Sequence, residues 1–289
     1  MTITVIFALA AAFSNAVNIM TQHSASIGAP KRQKGWELAV YLLHQPRWLL
    51  GWVAAVGGFV FQAVALHFGQ LSVVQPLLVT ELVFALVLRQ VWIRQDVART
   101  AWGSALVICV ALPLFLTLAE PHGGHSTANG GEWLSVLLVF GGIIALLILL
   151  ARQGSPVRRA ALLAIAASLT WALAATFTKA TTDTLATFGV GHMFLHWPVY
   201  ALLASGVVGI VVQQAALHVG PLSVSQPLVV VVDPIASIVL SAWLFDERFT
   251  QSPARILIAV IAFAVMAAGV TIMSRTTPLH LDSARPVRL

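Results

Sequence analysis

Long apolar runs, separated by short polar stretches, dominate the pattern of this chain. A transmembrane helix needs about 20 mostly apolar residues to cross the hydrocarbon layer, and nine runs reach that length. They lack the alternation of apolar and polar residues that marks membrane-spanning strands, so they predict helices. The predicted fold class is an all-α membrane protein with nine transmembrane helices. The predicted spans are residues 2–21, 48–68, 72–92, 100–118, 133–151, 160–179, 196–217, 222–244 and 253–273.

Composition agrees with this pattern and excludes a soluble fold. Hydrophobic residues make up 59% of the chain and charged residues 9%, with a mean hydropathy of +0.91, whereas about a quarter of a soluble domain is charged. The net charge of +6 does not indicate nucleic-acid binding, because the basic residues lie in short loops and form no patch. The single cysteine, Cys109, excludes an internal disulfide.

The distribution of basic residues predicts the orientation. With nine spans, one face receives 13 of the 16 basic residues and the other receives Lys179, Arg248 and Arg255. Positive loops stay in the cytoplasm, so the N-terminus is expected outside and the C-terminus inside the cell membrane. Counting residues 35–46 as a tenth span would reduce the split to about 10 to 6, so this segment is predicted as an interfacial helix. The first run lacks the basic region of a signal peptide and is expected to remain as a span.

The chain also contains an internal repeat at an offset of 151 residues. QAVALHFGQLSVVQPL at 62–77 and QQAALHVGPLSVSQPL at 213–228 share eleven of sixteen positions. A weaker match, slightly shifted, joins residues 8–16 to 164–172. Equivalent helices are then five spans apart, an odd number, so the copies cross the membrane in opposite directions. Inverted repeats are typical of secondary transporters, whose substrate site lies between the copies near the midplane. Channels also contain them, but a carrier is favoured.

The repeat predicts the domain organisation. The first four-helix repeat occupies residues 1–118 and includes a long polar linker at 22–47. An external loop and a connector span occupy residues 119–152. The second, inverted four-helix repeat occupies residues 153–274, and a cytoplasmic tail follows at 275–289.

Two acidic residues lie in the middle of predicted spans, and no basic residue lies mid-span to pair with them. A charged side chain at this depth costs about 2.5–3.5 kcal/mol and usually faces a cavity or a partner. Glu81 and Asp233 are therefore candidates for binding a proton or cation, although protonated carboxyls bonded to a neighbouring helix would fit as well. Pro234 leaves the carbonyl of Val230 without its helical donor. Helix breaks are expected at Pro234, Pro76 and Pro227.

Several polar or aromatic side chains are candidates for lining a pathway. Asn15, Asn18 and Gln22 share one face of the first helix, which suggests a cavity wall. Trp171, the one tryptophan predicted mid-span, fits either an aromatic wall for an organic cation or core packing. The repeat places the remaining candidates in matched pairs, which are Gln62 with Gln213 and Gln75 with Gln226.

The sequence disfavours enzymatic and ATP-driven functions. It contains no phosphate-binding loop, nucleophile elbow or Cys/His metal framework, so we expect no enzyme activity and no cofactor. Glu120, His122 and His125 are interpreted as solvated loop residues rather than metal ligands, and any metal stays unknown. The expected partners are the lipid bilayer and a small-molecule or ion substrate, with no nucleic acid, and a homodimer is left open.

The segment ALHVGPLSVSQPLVVVVDPIASIVLSAWLFDERF resembles the third and fourth helix signature of the drug/metabolite transporter superfamily, of the EamA-like type. Glu247 matches the glutamate that closes the helix in that signature. Nine spans, the long linker and the lone connector are similar to the NIPA-type branch, which implies magnesium transport. The chain departs from that branch at Phe59, where the family has Glu, and at Gln75 and Gln226, where it has Thr.

The sequence therefore predicts a secondary transporter that works by alternating access. Proton- or cation-coupled export of a metabolite or drug is favoured, since the glutamate typical of the NIPA-type branch is missing. Magnesium transport is the alternative, because one or two carboxylates suffice for a Mg²⁺ site. A non-transporting membrane scaffold is an alternative of a different class.

Overall fold

The computed structural model describes residues 1–27, 45–92, 97–124, 129–220, 222–250 and 252–276, and residues 35–44 of the interfacial helix predicted at 35–46 lie outside them. This part of the chain folds into ten helices and two very short strands. The elements are α1 (Thr2–Ile27), α2 (Pro46–Phe68), α3 (Leu71–Leu78), α4 (Glu81–Val91), α5 (Arg99–Ala119), β1 (His122–Gly123), α6 (Gly130–Leu150), α7 (Pro156–Met193), α8 (Trp197–Val219), α9 (Leu222–Phe245), β2 (Glu247–Arg248) and α10 (Pro253–Thr276).

The predicted count of nine spans is confirmed for the described residues. Nine helical stretches are long and apolar enough to cross a membrane, with α3 and α4 together forming one of them, Leu71–Val91. Many side chains on their outer surfaces are apolar and exposed, for example Leu138 at 67%, Val207 at 63% and Val260 at 59%. Lipid is the solvent in which such a surface is stable.

The third span is interrupted near its centre. The N–H of Val79 donates to the carbonyl of Pro76 and that of Thr80 to Leu77, which are tight i→i−3 bonds in place of the α-helical pattern. Pro76, which is fully buried, provides no N–H of its own and loosens the helix at this level. A new helix, α4, begins immediately afterwards at Glu81.

Two helices differ from their predicted form. The expected breaks at Pro227 and Pro234 are not observed, since α9 continues through both prolines as one helix. A proline removes a single backbone hydrogen bond, and the remaining bonds of a long packed helix preserve its path. Helix α7 runs well beyond the predicted end at 179 and is broken by a kink at Gly189 (φ 80°, ψ 173°), after which a short helical stretch reaches Met193. The hydroxyls of its threonines, among them Thr182 and Thr187, donate to carbonyls of the preceding turn. These polar groups therefore need no partner outside the helix.

The helices pack in pairs around a central crossing. Helix α1 lies along α2, α7 lies along α8, and α5 lies along α10, while α3 crosses α9 at the centre. Small residues dominate these contacts, as in α1, where Ala8, Ala11, Ala12 and Ala16 have no exposed surface. Small side chains let helices approach closely in lipid, where packing replaces the hydrophobic effect.

The loops at one end of the helix bundle are joined to each other by hydrogen bonds. Strands β1 and β2 pair antiparallel, with His122 opposite Arg248, and the N–H of Thr250 donates to the carbonyl of Ala119 at 3.0 Å. The turn at residues 69–70 belongs to the same end, because Glu247 bonds to Leu71. We call this end the clamped face, defined by the turn at 69–70, by β1 and by β2.

Candidate functional site

Three of the side chains selected from the sequence meet at the centre of the bundle. Asn15 of α1 forms a side-chain hydrogen bond with Glu81 of α4. The carboxyl groups of Glu81 and Asp233 lie close enough to interact electrostatically. Glu81 is the eleventh of the 21 residues of its span Leu71–Val91, and Asp233 is the twelfth of the 24 residues of α9. Both acids therefore lie near the middle of the membrane.

The interruption of the third span places Glu81 in a favourable electrostatic position. Glu81 is the first residue of α4 and lies in its first turn, the end at which the helix dipole carries partial positive charge. A carboxylate at this end of a helix is stabilised by about 0.3–1 kcal/mol, and by more where water is excluded. The interruption before Glu81 follows Pro76, one of the three expected helix breaks, whereas the helix continues through the break expected beside Asp233.

The surroundings of Asp233 are similarly polar on one side. The hydroxyl of Ser237, one turn further along α9, donates a long hydrogen bond of 3.4 Å to Asp233 Oδ1. Ser237 itself is fully buried. The two acids are not equivalent in the repeat, because Asp233 aligns with Leu82 at the offset of 151. The site therefore receives one acid from each half of the chain, at neighbouring but different repeat positions.

Gly58 of α2 makes room for the Asn15 side chain. A Cβ atom placed on Gly58 would lie 2.5 Å from Asn15 Oδ1, closer than real Cβ contacts. The repeat partner Gly209 has the same relationship to Trp171, with a Cβ at 3.2 Å from Trp171 Cε2. In both halves, then, a glycine of the second helix lies against a side chain of the first helix, which is Asn15 in one half and Trp171 in the other.

A second pair of glycines repeats this contact near the helix ends. A Cβ on Gly69 would collide with the side chain of Thr4, and a Cβ on Gly220 would lie 2.6 Å from the Cβ of Ala160. Gly58 and Gly69 are each 151 residues from Gly209 and Gly220, while Asn15 and Thr4 are each 156 residues from Trp171 and Ala160. The α1–α2 and α7–α8 pairs thus share the same close contacts in the same register.

Trp171 and Gln213 join directly. The indole N–H of Trp171 donates to Gln213 Oε1 at 2.6 Å, and both side chains are half-buried. Ser168 Oγ lies 3.4 Å from the carbonyl of Val229. Because α7 and α9 run in the same direction and each residue rises about 1.5 Å, Trp171 lies at nearly the same depth as Asp233. The bonded pair therefore borders the level of the two acids.

The helices around the acids are partly accessible over consecutive positions. The six consecutive positions 228–233 of α9 are all half-buried, and so are the first five positions of α4, residues 81–85. A helix packed on one side and open to lipid on the other would alternate between buried and exposed positions. Glu81 and Asp233 lie deep in the protein, yet each retains some accessible surface.

The other predicted pathway residues are placed as follows. Gln62 is half-buried in α2. Gln75 is 3% exposed in α3, and its Nε2 finds no hydrogen-bond partner within the described part of the chain. Asn18 is half-buried and has a partner of its own. The side chains of Gln22 and Gln226 lie outside the described residues.

Three charged residues of the second half contact the first half, and none of them was among the site residues predicted from the sequence, although Glu247 was named as the helix-closing glutamate and Lys179 as a basic residue of one face. Glu247 bonds to Leu71 and Ser72, Lys179 bonds to Leu66 and Gly69, and Asp183 bonds to His67. These residues join chain positions more than 100 apart. The signal available in the sequence was a set of charges at the ends of strongly apolar spans.

The described residues contain no group of three potential metal ligands from His, Cys, Asp and Glu. In the loop after α5, Glu120 pairs with Arg255 at 2.7 Å and His122 Nδ1 contacts the Glu120 carbonyl at 2.6 Å. His125 lies outside the described residues.

Nine apolar helices around a polar centre are the features of a multi-pass helical membrane protein. The chain is similar to an uncharacterised protein of Corynebacterium glutamicum, with 29% identity over 284 residues that cover 97% of this chain and 98% of that protein. The similarity therefore extends over nearly the full length of both chains. No family model matches the sequence, and no solved structure matches it.

Proposed function

We propose that this protein is a secondary transporter that moves a small solute across the cell membrane by alternating access. The observation that carries the proposal is the meeting of Asn15, Glu81 and Asp233 at mid-depth, where consecutive positions of α4 and α9 are half-buried. Two carboxyl groups without a mid-span basic partner are costly in a membrane. Their retention is explained if they exchange a proton or cation with water during each transport cycle.

We propose further that the helices form two inverted four-helix repeats, with α6 as the connector. The supporting observation is the repetition of close contacts, Gly58 with Asn15 and Gly209 with Trp171, in a common register. Five spans separate equivalent helices, so the two pairs run in opposite directions through the membrane. The acids then lie between the repeats, where such transporters bind their substrates.

The orientation follows from the positive-inside rule. The clamped face and the helix ends beside it include Lys179, Arg248 and Arg255, and we assign this face to the outside. Most of the other basic residues belong to the opposite face, which we assign to the cytoplasm. This assignment puts the N-terminus outside and the C-terminus inside.

In this mechanism, Glu81 and Asp233 hold the coupling proton or cation. Asn15 donates a hydrogen bond to the carboxyl of Glu81, and Ser237 donates one to Asp233. The Trp171–Gln213 pair lies at nearly the same depth in the membrane as the two acids, and its indole ring and amide group would contact the substrate there. The two carboxyl groups lie on helices of different halves. Rocking of the halves would therefore expose the pair to water first from one side of the membrane and then from the other.

The substrate falls into one of two chemical classes. An organic metabolite or drug, exported in exchange for protons, fits an aromatic side chain at the level of two acids. A divalent cation such as Mg²⁺ fits the two carboxylates, since one or two carboxylates and several retained waters suffice for such a site. The resemblance to drug/metabolite transporters allows both, and we favour the organic substrate.

Flux through proteoliposomes tests the proposal. With an imposed pH gradient, addition of ethidium or Mg²⁺ is expected to cause proton flux in the parent protein and none in Asp233→Asn. The matched control is Asp246→Asn, which alters an exposed aspartate paired with Arg248 on the clamped face and should leave flux unchanged. Full coupled transport by a folded Asp233→Asn protein would contradict the assignment. Whichever solute drives the flux identifies the substrate class.

A further inference from the structure

Charged side chains from the second half of the chain hold one short turn of the first half. The segment held in this way, residues 66–72, consists of the turn at 69–70 together with the last residues of α2 and the first residues of α3. Lys179 and Glu247 contact it through buried groups, with 8% and 3% of their surfaces exposed. None of the residues assigned to the central site takes part in these contacts.

Glu247 closes the start of α3. One carboxylate oxygen accepts from the N–H of Leu71 at 2.9 Å, and the other accepts from the N–H and the hydroxyl of Ser72 at 3.1 and 2.5 Å. These donors include backbone groups that the first turn of a helix leaves unpaired. Glu247 therefore acts as an N-terminal cap that comes from strand β2, 176 positions away from Leu71.

Lys179 closes the end of α2. Its Nζ donates to the carbonyls of Leu66 at 3.1 Å and Gly69 at 2.9 Å, which are groups that the last turn of a helix leaves unpaired. The ammonium also lies 5.4 Å from the centre of the Phe245 ring, two residues before Glu247. One turn further along α7, Asp183 contacts His67 Nδ1 at 3.3 Å.

The signs of the charges match the two helix ends. The end of α2 is negative and accepts a cation, while the start of α3 is positive and accepts an anion. Buried charges of this kind add little net stability, because losing their water offsets the contacts they make. The same property makes them reversible, since on separation the lysine, the glutamate and both helix ends recover hydration.

We propose that Lys179 and Glu247 form a gate that closes the clamped face, and that this structure is the state closed on that side. The inference depends on alternating access as proposed above, because only then must the two halves separate here. Gln75 lies one turn deeper than Ser72 and is 3% exposed, so the closed gate covers it. Opening of the gate would expose Gln75 to external water first, and then Glu81 and Asp233.

Cysteine accessibility tests the gate without any substrate. The parent carries Gln75→Cys with Cys109→Ala, which removes the exposed native cysteine. A membrane-impermeant trimethylammonium methanethiosulfonate is added to intact cells. Labelling should be slow in the parent and about tenfold faster in Glu247→Gln and Lys179→Gln, since each loses hydrogen bonds to a charged group. Ser72→Ala removes one donor only and should give a smaller increase.

The control is Arg255→Gln, which breaks the exposed pair with Glu120 on the same face without touching the turn. Its labelling rate should equal that of the parent. Equal rates in all variants that purify as folded monodisperse protein would overturn the gate, and Ser72→Ala keeps the test decisive if a charge variant fails to fold. Because labelling requires no solute, a negative flux result with ethidium and Mg²⁺ affects the proposed function alone.

Discussion

The side-chain amide of Asn15 bonds to the carboxyl of Glu81, while its oxygen faces Gly58 at the distance where a Cβ atom would collide with it. One asparagine thus links three helices, α1, α2 and α4. The close approach of Gly58 to Asn15 Oδ1 restricts the rotation of the amide group, so its N–H stays directed toward Glu81. The geometry at Glu81 therefore depends on a residue of α2 that never contacts the acid.

Gly58→Ala should accordingly disturb the site from a distance. The added Cβ would lie 2.5 Å from Asn15 Oδ1, and overpacking of this kind costs about 1–3 kcal/mol. We expect a lower unfolding temperature in detergent and weaker stabilisation by whichever ion or solute the protein binds.

The adjacent Gly57→Ala is the control for this prediction, because a Cβ there meets nothing within 4 Å. Alanine is the better helix former by about 0.5–1 kcal/mol, so Gly57→Ala should be neutral or stabilising. A double variant, Gly58→Ala with Asn15→Ala, should recover part of the loss because the colliding group is gone. Identical effects at positions 57 and 58 would contradict the contact.

Asn15→Ala alone should weaken binding of a cation at Glu81. The carboxylate loses a hydrogen bond, and bonds to charged groups contribute about 1.5–3 kcal/mol, so its charged form becomes less favourable. The concentration of Mg²⁺ or ethidium that gives half-maximal thermal stabilisation should rise about tenfold or more. Thr117→Val is a suitable control, since that hydroxyl bonds only to carbonyls of its own helix. An unchanged concentration in Asn15→Ala would remove Asn15 from the site.

Much of this arrangement followed from local sequence pattern. Hydropathy located the nine spans because each span needs only a continuous apolar run. The acids Glu81 and Asp233 were identifiable because charge is rare at that depth. The repeat predicted a midplane site between the copies, but it does not align the two acids with each other and gave no prediction of their contact.

The remaining features depend on packing that a linear pattern does not encode. Breaks were expected at Pro76, Pro227 and Pro234, yet the only interruption among these three sites follows Pro76, at Val79 and Thr80, and α9 continues through its two prolines. The end of α7 was placed too early, because threonines lower hydropathy while their hydroxyls bond within the helix. Lys179 was counted only as a charge beyond a span, since its partners lie 110 and 113 residues away.

The Trp171–Gln213 pair provides a test of whether the polar centre is structurally coupled. The donor–acceptor distance is 2.6 Å and both side chains are half-buried, so removing one partner leaves a polar group unpaired at about 1–3 kcal/mol. In a cycle of Trp171→Phe, Gln213→Leu and the double variant, we expect the double variant to lose less than the sum, with a coupling of about 1 kcal/mol. Chemical unfolding in detergent measures it.

The chain contains a matched control for that cycle. Trp102 Nε1 donates to Gln90 Oε1 at 2.9 Å, which is the same chemical pair, but both residues are exposed. Solvent or lipid headgroups replace a lost partner there, so Trp102→Phe with Gln90→Leu should be additive within about 0.3–0.5 kcal/mol. If both cycles gave the same coupling, burial would contribute nothing to the central pair. Trp171 would then have no special role at the level of the acids, and an aromatic wall for an organic cation would lose its support.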